Sequence, residues 1–474
     1  MTLVILVADG ARPDTLFGAI DAGHLPALAA LRADGSAHTI TSVFPSVTGP
    51  AYTPFLMGLH PGEAGVPGIR WWDRSGTCAY AQGNARSYAG FEALRQDGDL
   101  SPAHPTLFEL AERPIAAFTP IGRGLRESQR LGAGIVSWPR VAWHHFRGDV
   151  QGWLQLERDL AARVCARVCA RVDAERPDLV FLAHPGVDKL SHQLGQDSPG
   201  VLDALRVIDD TVARLQDDAA RGGRAHTLEF MVVSDHGHSA VHSHEDLAGT
   251  VAALGHGVLA HPWTFAGGRD VAVMVSGNAM AHLYLELDRR ERPRWPALKA
   301  RWGSLVEALL AREAVDLLLL PHGPGVCEVR SRARGGAMVM RDAHGRYAYR
   351  PIDGDPLGLN AALGPSASLG ALTADEAHDA TFATTYPDSI LQILALADST
   401  RAGEIIVSAA PGWDLRARYE PVRHVSAHGS LHRDHLLVPL IMSRAMEAVP
   451  RRTIELFALA RSALIRRSFV GTTS

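Results

Sequence analysis

Three short apolar runs end in the same kind of chemistry. Leu3 to Ala8 leads straight into Asp9, Leu179 to Ala183 is followed within a few residues by Asp188, and Phe230 to Ser234 leads into Asp235 and His236. Runs of this length, bounded by polar turns, read as strands buried on both faces, and helical patterns such as Leu25 to Asp34 stand between them. Strands alternating with helices build βαβ units, so the chain is expected to be α/β, with a mainly parallel sheet sandwiched by helices. In such sheets the ligand crevice lies beyond the carboxyl ends of the strands, where all three runs would deliver their polar residues.

Between about residues 251 and 370 the texture changes. Val271 to Leu287 and Ala337 to Tyr349 read as strands, Trp295 to Glu313 as a helix, and Gly335-Gly336 and Ala343-His-Gly345 as turns. This predicts a small inserted α+β unit over 251–370 that caps the crevice of a discontinuous core formed by 1–250 and 371–474. From Pro387 the α/β texture returns, with a helix through Ala397, a strand over Glu404 to Ala409 and a last strand over Leu436 to Met442.

Composition excludes several classes of function. A formal net charge of −4 lacks the basic excess of a nucleic-acid or anionic-membrane binder, so no nucleic-acid partner is expected. No apolar run approaches the ~20 residues needed to span a bilayer. The first residues, Met1 to Ala8, lack the basic region and cleavage site of a secretion signal, so a cytoplasmic location is expected. Four cysteines are too few for a disulfide scaffold. Cys165 and Cys169 fall within a repeat that stacks Val164, Val168 and Val172 on one face of an amphipathic helix. The C-terminal stretch from Arg451 to Arg467 is basic and amphipathic; its apolar residues Ile454, Leu456, Phe457 and Leu464 are expected to pack on the core.

Five segments carry chemistry. In Asp188-Lys-Leu-Ser-His192 the spacing of four puts a carboxylate and an imidazole on one helix face, within reach of one metal ion. Ser234-Asp-His-Gly237 sets two ligand types at a sharp turn after a buried strand, with His238, His242 and His244 read as flanking groups. Phe44-Pro-Ser-Val-Thr-Gly-Pro50 offers the hydroxyl of Thr48, a poor nucleophile unless a base or metal activates it. Ala427-His-Gly-Ser-Leu-His-Arg-Asp-His435 holds three histidines, any of which could complete a site. Asp9 with Gly10 supplies the fifth.

In this order these segments resemble the alkaline phosphatase superfamily, and within it the type I phosphodiesterase/nucleotide pyrophosphatase branch. That branch shows Asp-Gly after the first strand, Phe-Pro-x-x-Thr, Asp-x-x-x-His, Asp-His-Gly and a late His-Gly. The resemblance implies an alkaline-phosphatase-like fold with two divalent metal ions, usually zinc, with manganese left open. It implies that Asp188, His192 and His428 hold one ion. Asp9, Asp235, His236 and the Thr48 oxygen would hold the other, with Thr48 as nucleophile. His428 is preferred because a glycine follows it; His432 is the alternative.

One departure stands out. The branch has an asparagine about twenty residues after the nucleophile that binds a phosphate oxygen, whereas Gly65 to Asp73 contains none. Arg70 is the expected substitute, since a guanidinium grips two phosphate oxygens at once; the alternative is an Arg70–Asp73 ion pair. Asn278, in Ser276-Gly-Asn-Ala-Met-Ala-His282, is a second candidate substrate contact. The resemblance thus implies hydrolysis of a small phosphate ester, a diester or pyrophosphate, through a phospho-threonine. The alternatives are a phosphomonoesterase, phosphonate hydrolase or phosphotransferase, and a catalytically silent metal-binding protein. Oligomeric state, leaving group and physiological substrate are not legible in the sequence.

Overall fold

A computed structural model describes residues 1–75, 84–132, 143–144, 147–170, 175–264, 268–363, 372–418 and 422–470. Cys78 and Val172 lie outside them. The first sheet has seven strands, in the order Ser36–Thr41, Leu437–Met442, Leu228–Val233, Thr2–Ala8, Leu179–His184, Pro114–Ala117 and Arg130–Leu131. Leu437–Met442 runs antiparallel to both of its neighbours, and from Leu228–Val233 onward the pairings are parallel. The Thr2–Ala8 strand shows why the run is continuously apolar: Leu3, Ile5 and Val7 enter one core while Val4, Leu6 and Ala8 enter the other. Helices cover both faces, so neither face tolerates a polar residue until the strand ends.

Because these strands share a direction, Asp9, the Pro185–Asp188 turn and Ser234 to His236 emerge at one edge. The Ser36–Thr41 strand points the same way and delivers the Phe44 to Thr48 loop there, while the chain enters Leu437–Met442 from that edge. The expected helices form at Pro26–Asp34, Gly186–Leu194 and Val150–Val168, the last carrying Cys165 and ending at Cys169, both free thiols. Leu456, Ala460 and Ala463 of the final helix are buried in the first core, with Phe457 and Leu464 packed against it. Among the described residues no helix is long and apolar enough to cross a membrane.

The second sheet has eight strands, in the order Val258–Ala260, Val271–Ser276, Met280–Leu285, Ile405–Ala409, Val315–Gly323, Val326–Ser331, Gly335–Arg341 and Tyr347–Pro351. It is antiparallel apart from its Val258–Ala260 edge. Ile405–Ala409 lies inside it, between Met280–Leu285 and Val315–Gly323, so this sheet draws on chain beyond residue 370. Gly335-Gly336 begins a strand rather than forming a turn. Val271–Ser276 and Met280–Leu285 form a hairpin in which Ser276 pairs with Met280, so the loop is Gly277, Asn278 and Ala279, with Gly277 and Asn278 in the left-handed region at φ 60° and 65°.

His282, in that hairpin, is fully buried and uses both ring nitrogens. Nε2 donates to the Pro67 carbonyl at 3.0 Å, and Nδ1 accepts from the Gly403 N–H at 3.2 Å. Burial, with nearby Arg292, pushes its pKa down to about 3, since the charged ring would lose its hydration there. The unfolded chain therefore takes up this proton first as pH falls, and stability erodes from about pH 6.5 downward. His282→Gln is expected to flatten the fall by up to about 1.4 kcal/mol per pH unit between about pH 6 and 4, whatever its effect at pH 7. Denaturant unfolding at stepped pH reads this; an unchanged slope would refute it.

Candidate active site

Asp9 and Asp235 are buried at the ends of adjacent parallel strands. The Gly10 N–H donates to Asp235 Oδ1 at 3.2 Å, and the Tyr52 hydroxyl donates to Asp9 Oδ2 at 2.8 Å. Gly10 stands at φ 77°, and a Cβ there would lie 2.9 Å from the His238 ring, which explains the glycine after Asp9. Thr48 Oγ1 sits 3.1 Å from Asp9 Oδ1 and 3.2 Å from His236 Nε2. His236 Nε2 is in turn 3.4 Å from Asp9 and 3.5 Å from Asp235.

A second cluster surrounds Asp188 Oδ1. His238 Nε2 lies at 2.8 Å, His192 Nε2 at 3.3 Å and His428 Nε2 at 3.4 Å. The His428 and His236 rings stack at 3.6 Å between centroids, which joins the two clusters. The ligand atoms thus form two groups, Asp9, Asp235 and His236, and Asp188, His236, His238 and His428, with His236 in both. His192 touches the second group through Asp188.

The protonation pattern fits a pair of cations. Nδ1 of His192, His428 and His236 faces the carbonyls of Ser426, Ser46 and Gly237 at 2.7, 2.8 and 3.1 Å, and a carbonyl only accepts. Each Nδ1 therefore carries a hydrogen, which leaves each Nε2 as the ring atom that faces the cluster and could bind a metal. His238 behaves alike: its Nδ1 faces Ser426 Oγ at 2.9 Å, and that hydroxyl donates to the Ser239 carbonyl. An Nε2 facing a carboxylate oxygen needs positive charge between them, a proton or a metal ion. Burial, followed by Asp235 and Asp188, pushes the Asp9 pKa well up, and burial also raises Asp235, whose buried Oδ2 has no hydrogen-bond partner. Burial opposes ionisation of Asp188 too, but the surrounding histidines, His192 foremost, hold its pKa well down. Nitrogen and carboxylate donors arranged in this way suit divalent transition metals.

The remaining candidates fall around this centre. His432 caps the short Arg433–Leu436 helix, and His435 accepts from the Ser430 N–H and bonds Ser239, so the late histidine beside the clusters is His428. Asn278 is buried beneath the site rather than open to the crevice. Its amide donates to Asp414 Oδ2 and to His424 Nδ1, both at 2.8 Å, and the His424 ring stacks on His192 at 4.1 Å. His428 and the hairpin tip exchange backbone hydrogen bonds through Gly277 and Ala279. Asn278 thus positions the histidines. Asn278→Gly, which keeps the left-handed backbone and removes the amide, is expected to weaken metal retention about tenfold. Chelator titration reads this, and unchanged retention would contradict it. Arg70 is buried on the Arg70–Trp72 strand, donates to the Val275 carbonyl at 3.2 Å and lines a cleft beside the hairpin. Asp73 pairs with Arg86 at 2.8 Å.

His238, a flanking group on the sequence alone, makes the shortest contact to Asp188, at 2.8 Å. The usable signal was the alternation His236-Gly-His238, which brings a second imidazole back to the same side when the chain turns at the glycine.

The type I phosphodiesterase/nucleotide pyrophosphatase family profile matches residues 3–291. No curated protein matches the sequence. Among solved structures, the fold is similar to phosphonoacetate hydrolase from Sinorhizobium meliloti 1021 in complex with phosphonoacetate. The TM-score is 0.56 at 17% identity, over 98% of this chain and 96% of that one. It is also similar to human ectonucleotide pyrophosphatase/phosphodiesterase 5, with a TM-score of 0.56 at 13% identity over 98% and 95% of the two chains. The inactive murine counterpart in complex with AMP gives a TM-score of 0.54 at 13% identity, again over 98% and 95%. With the match spanning more than half of the chain, including Asp9, Thr48, Asp188, Asp235 and His236, this chain is a hydrolytic enzyme that belongs to the type I phosphodiesterase/nucleotide pyrophosphatase family of the alkaline phosphatase superfamily.

Proposed function

We propose that the protein hydrolyses small phosphate esters, diesters or pyrophosphates, by passing the phosphoryl group to Thr48 and then to water. The observation that carries this reading is the place of Thr48 Oγ1, between Asp9 Oδ1 and His236 Nε2 at the junction of the two ligand groups. In the proposed assignment Asp188, His192 and His428, joined by His238, hold one cation, and Asp9, Asp235, His236 and Thr48 the other. Zinc suits these donors and manganese is the alternative. When bound, the cations supply positive charge at the nucleophile and at the oxygens that gain charge during an in-line displacement.

The chain's own residues do the rest. Asp9 accepts the Thr48 hydroxyl hydrogen in the resting site, and Tyr52 fixes the other Asp9 oxygen. Attack of Oγ on phosphorus breaks the bond to the departing oxygen and leaves the phosphoryl group on Thr48. Attack by water then restores the hydroxyl and frees phosphate or a phosphate monoester. The inactive murine neighbour carries a threonine-to-alanine change, which supports a threonine in this role. Residues 251–370 are proposed to contribute the specificity-bearing cap over the crevice.

A second reading, monoester or phosphonate hydrolysis, is favoured by the missing asparagine between Gly65 and Asp73 and by the phosphonoacetate-bound neighbour. Metal-loaded protein assayed on nitrophenyl monoester, diester and phosphonate substrates separates the two. Fastest turnover of the diester is expected, and turnover of none, indifferent to chelation, would refute both.

A further inference from the structure

Four imidazoles form a row that starts at Thr48. His236 Nε2 lies 3.2 Å from Thr48 Oγ1, and the His428 ring stacks on His236 at 3.6 Å. His192 follows at 5.1 Å from His428, and His424 stacks on His192 at 4.1 Å. The first three serve the ligand groups directly or through Asp188; His424 belongs to neither group, and the reaction outlined above does not use it. It is nonetheless held firmly against the site. The Val425 N–H donates to the His192 carbonyl at 2.9 Å and the Ser426 carbonyl accepts from His192 Nδ1 at 2.7 Å, so the chain just past His424 is tied to His192 twice.

The hydrogen on this ring can be placed. Asn278 Nδ2 lies 2.8 Å from both Asp414 Oδ2 and His424 Nδ1. The buried Asp414 carboxylate only accepts, so the amide nitrogen must stand here, and its second hydrogen goes to His424 Nδ1. Nδ1 is therefore bare, the ring is neutral, and its hydrogen sits on Nε2. The two nitrogens of an imidazole point from opposite edges, so the Nε2–H is directed away from Asn278. Among the described residues none accepts from it, and the side chain is 17% exposed, enough for a ligand atom to reach. Donation from Asn278 into Nδ1 also polarises the ring and strengthens the outer N–H as a donor.

From this arrangement we infer that His424 donates its Nε2–H to the departing oxygen of the substrate, an inference that rests on the phosphate-ester reading. In-line attack by Thr48 Oγ drives the departing oxygen out on the side of phosphorus away from Thr48, the direction in which the row of rings runs to His424. As the P–O bond breaks, its electron pair stays on that oxygen, and the hydrogen bond from Nε2 strengthens with the charge that develops there. The ring keeps its hydrogen throughout. The proton that completes the departing alcohol comes from water.

The test varies the leaving group. His424→Phe keeps a ring on His192 and loses both nitrogens, His424→Asn keeps an acceptor for the Asn278 amide and lacks the outer N–H, and His424→Gln carries an N–H at the outer position. Methyl aryl phosphates, or aryl monoesters where those are the faster substrates, are assayed on metal-loaded protein with leaving groups from 4-nitrophenol to phenol. Each kcat/KM is expressed relative to wild type, so that intrinsic reactivity cancels. In the Phe and Asn variants the loss is expected to grow from about twofold with nitrophenol to about thirtyfold with phenol, whose oxygen carries more charge to stabilise. Metal content should stay at the wild-type level, and His424→Gln should recover most of the loss with phenol. A loss equal for all leaving groups, or no loss, in either variant overturns the inference, because a ring that merely supports His192 would affect every ester alike. Long-range 1H–15N spectra of the wild-type protein need no variant: a bare Nδ1 and a protonated Nε2 are expected, and a hydrogen on Nδ1 would overturn the inference as well. Turnover of no ester sinks the phosphate-ester reading and this inference together, whereas turnover with an unchanged leaving-group dependence in the variants sinks this inference alone.

Discussion

Thr48→Ala is expected to lower kcat by on the order of 10⁴ or more, equivalent to about 5.5 kcal/mol of transition-state stabilisation, while metal content and melting temperature stay close to wild type. The side chain is small, and its polar contacts are to Asp9 and His236, so its loss removes the covalent route without opening the core. A change of this size separates a nucleophile from a bystander hydroxyl, whose removal would cost about one hydrogen bond, ~1 kcal/mol. Ser46 is not positioned to take over: its hydroxyl donates to the Ser430 carbonyl at 3.3 Å, and its own carbonyl accepts from His428 Nδ1. Near-wild-type kcat in the purified, metal-loaded variant would remove Thr48 from the mechanism.

The second large effect is expected at His238. His238→Ala should reduce bound metal from two ions per chain toward one and lower kcat/KM by about 10² or more, because the shortest contact to Asp188 is lost with a neutral imidazole lone pair. Burial pushes the His238 pKa down to about 3, which favours the unprotonated ring that a metal ion binds. The comparison is His242→Ala, at an exposed position on the neighbouring strand, which should change neither quantity. Metal analysis after gel filtration, with activity measured on the same samples, decides the matter. Two ions retained in His238→Ala would assign the second group to Asp188, His192 and His428 alone.

Much of the architecture was legible because it is local. A strand buried on both faces must be apolar throughout, so Leu3 to Ala8, Leu179 to Ala183 and Phe230 to Ser234 declare themselves, and parallel pairing brings their carboxyl ends to one edge. The Asp188 and His192 pair was legible for a similar reason, since helical spacing alone brings their side chains within 3.3 Å. Gly10 belongs with these, its positive φ being a backbone requirement that the sequence states openly.

Other features were decided by packing between segments remote in the chain. The Glu404 to Ala409 stretch is as apolar as a strand of the first sheet, and nothing in its composition says that it completes the second, between Met280–Leu285 and Val315–Gly323. The Ser276-to-His282 segment offers Asn278 as a substrate contact, but the fold buries its amide against Asp414 and His424. Arg70 and Arg416 meet at one cleft only because their strands and loops converge on the same hairpin.

By itself, then, the sequence determined the strand edge, the Asp-His pairs and the loop that carries Thr48, because side-chain periodicity and turn sterics act over a few residues. Only the tertiary structure chose among the histidines. His236, His238, His242, His244, His428, His432 and His435 are chemically equivalent as residues. What distinguishes them is which Nδ1 finds a carbonyl or hydroxyl to fix the ring and which Nε2 then faces Asp188 or Asp9, and for His238 and His428 those partners come from segments 50 to 382 residues away.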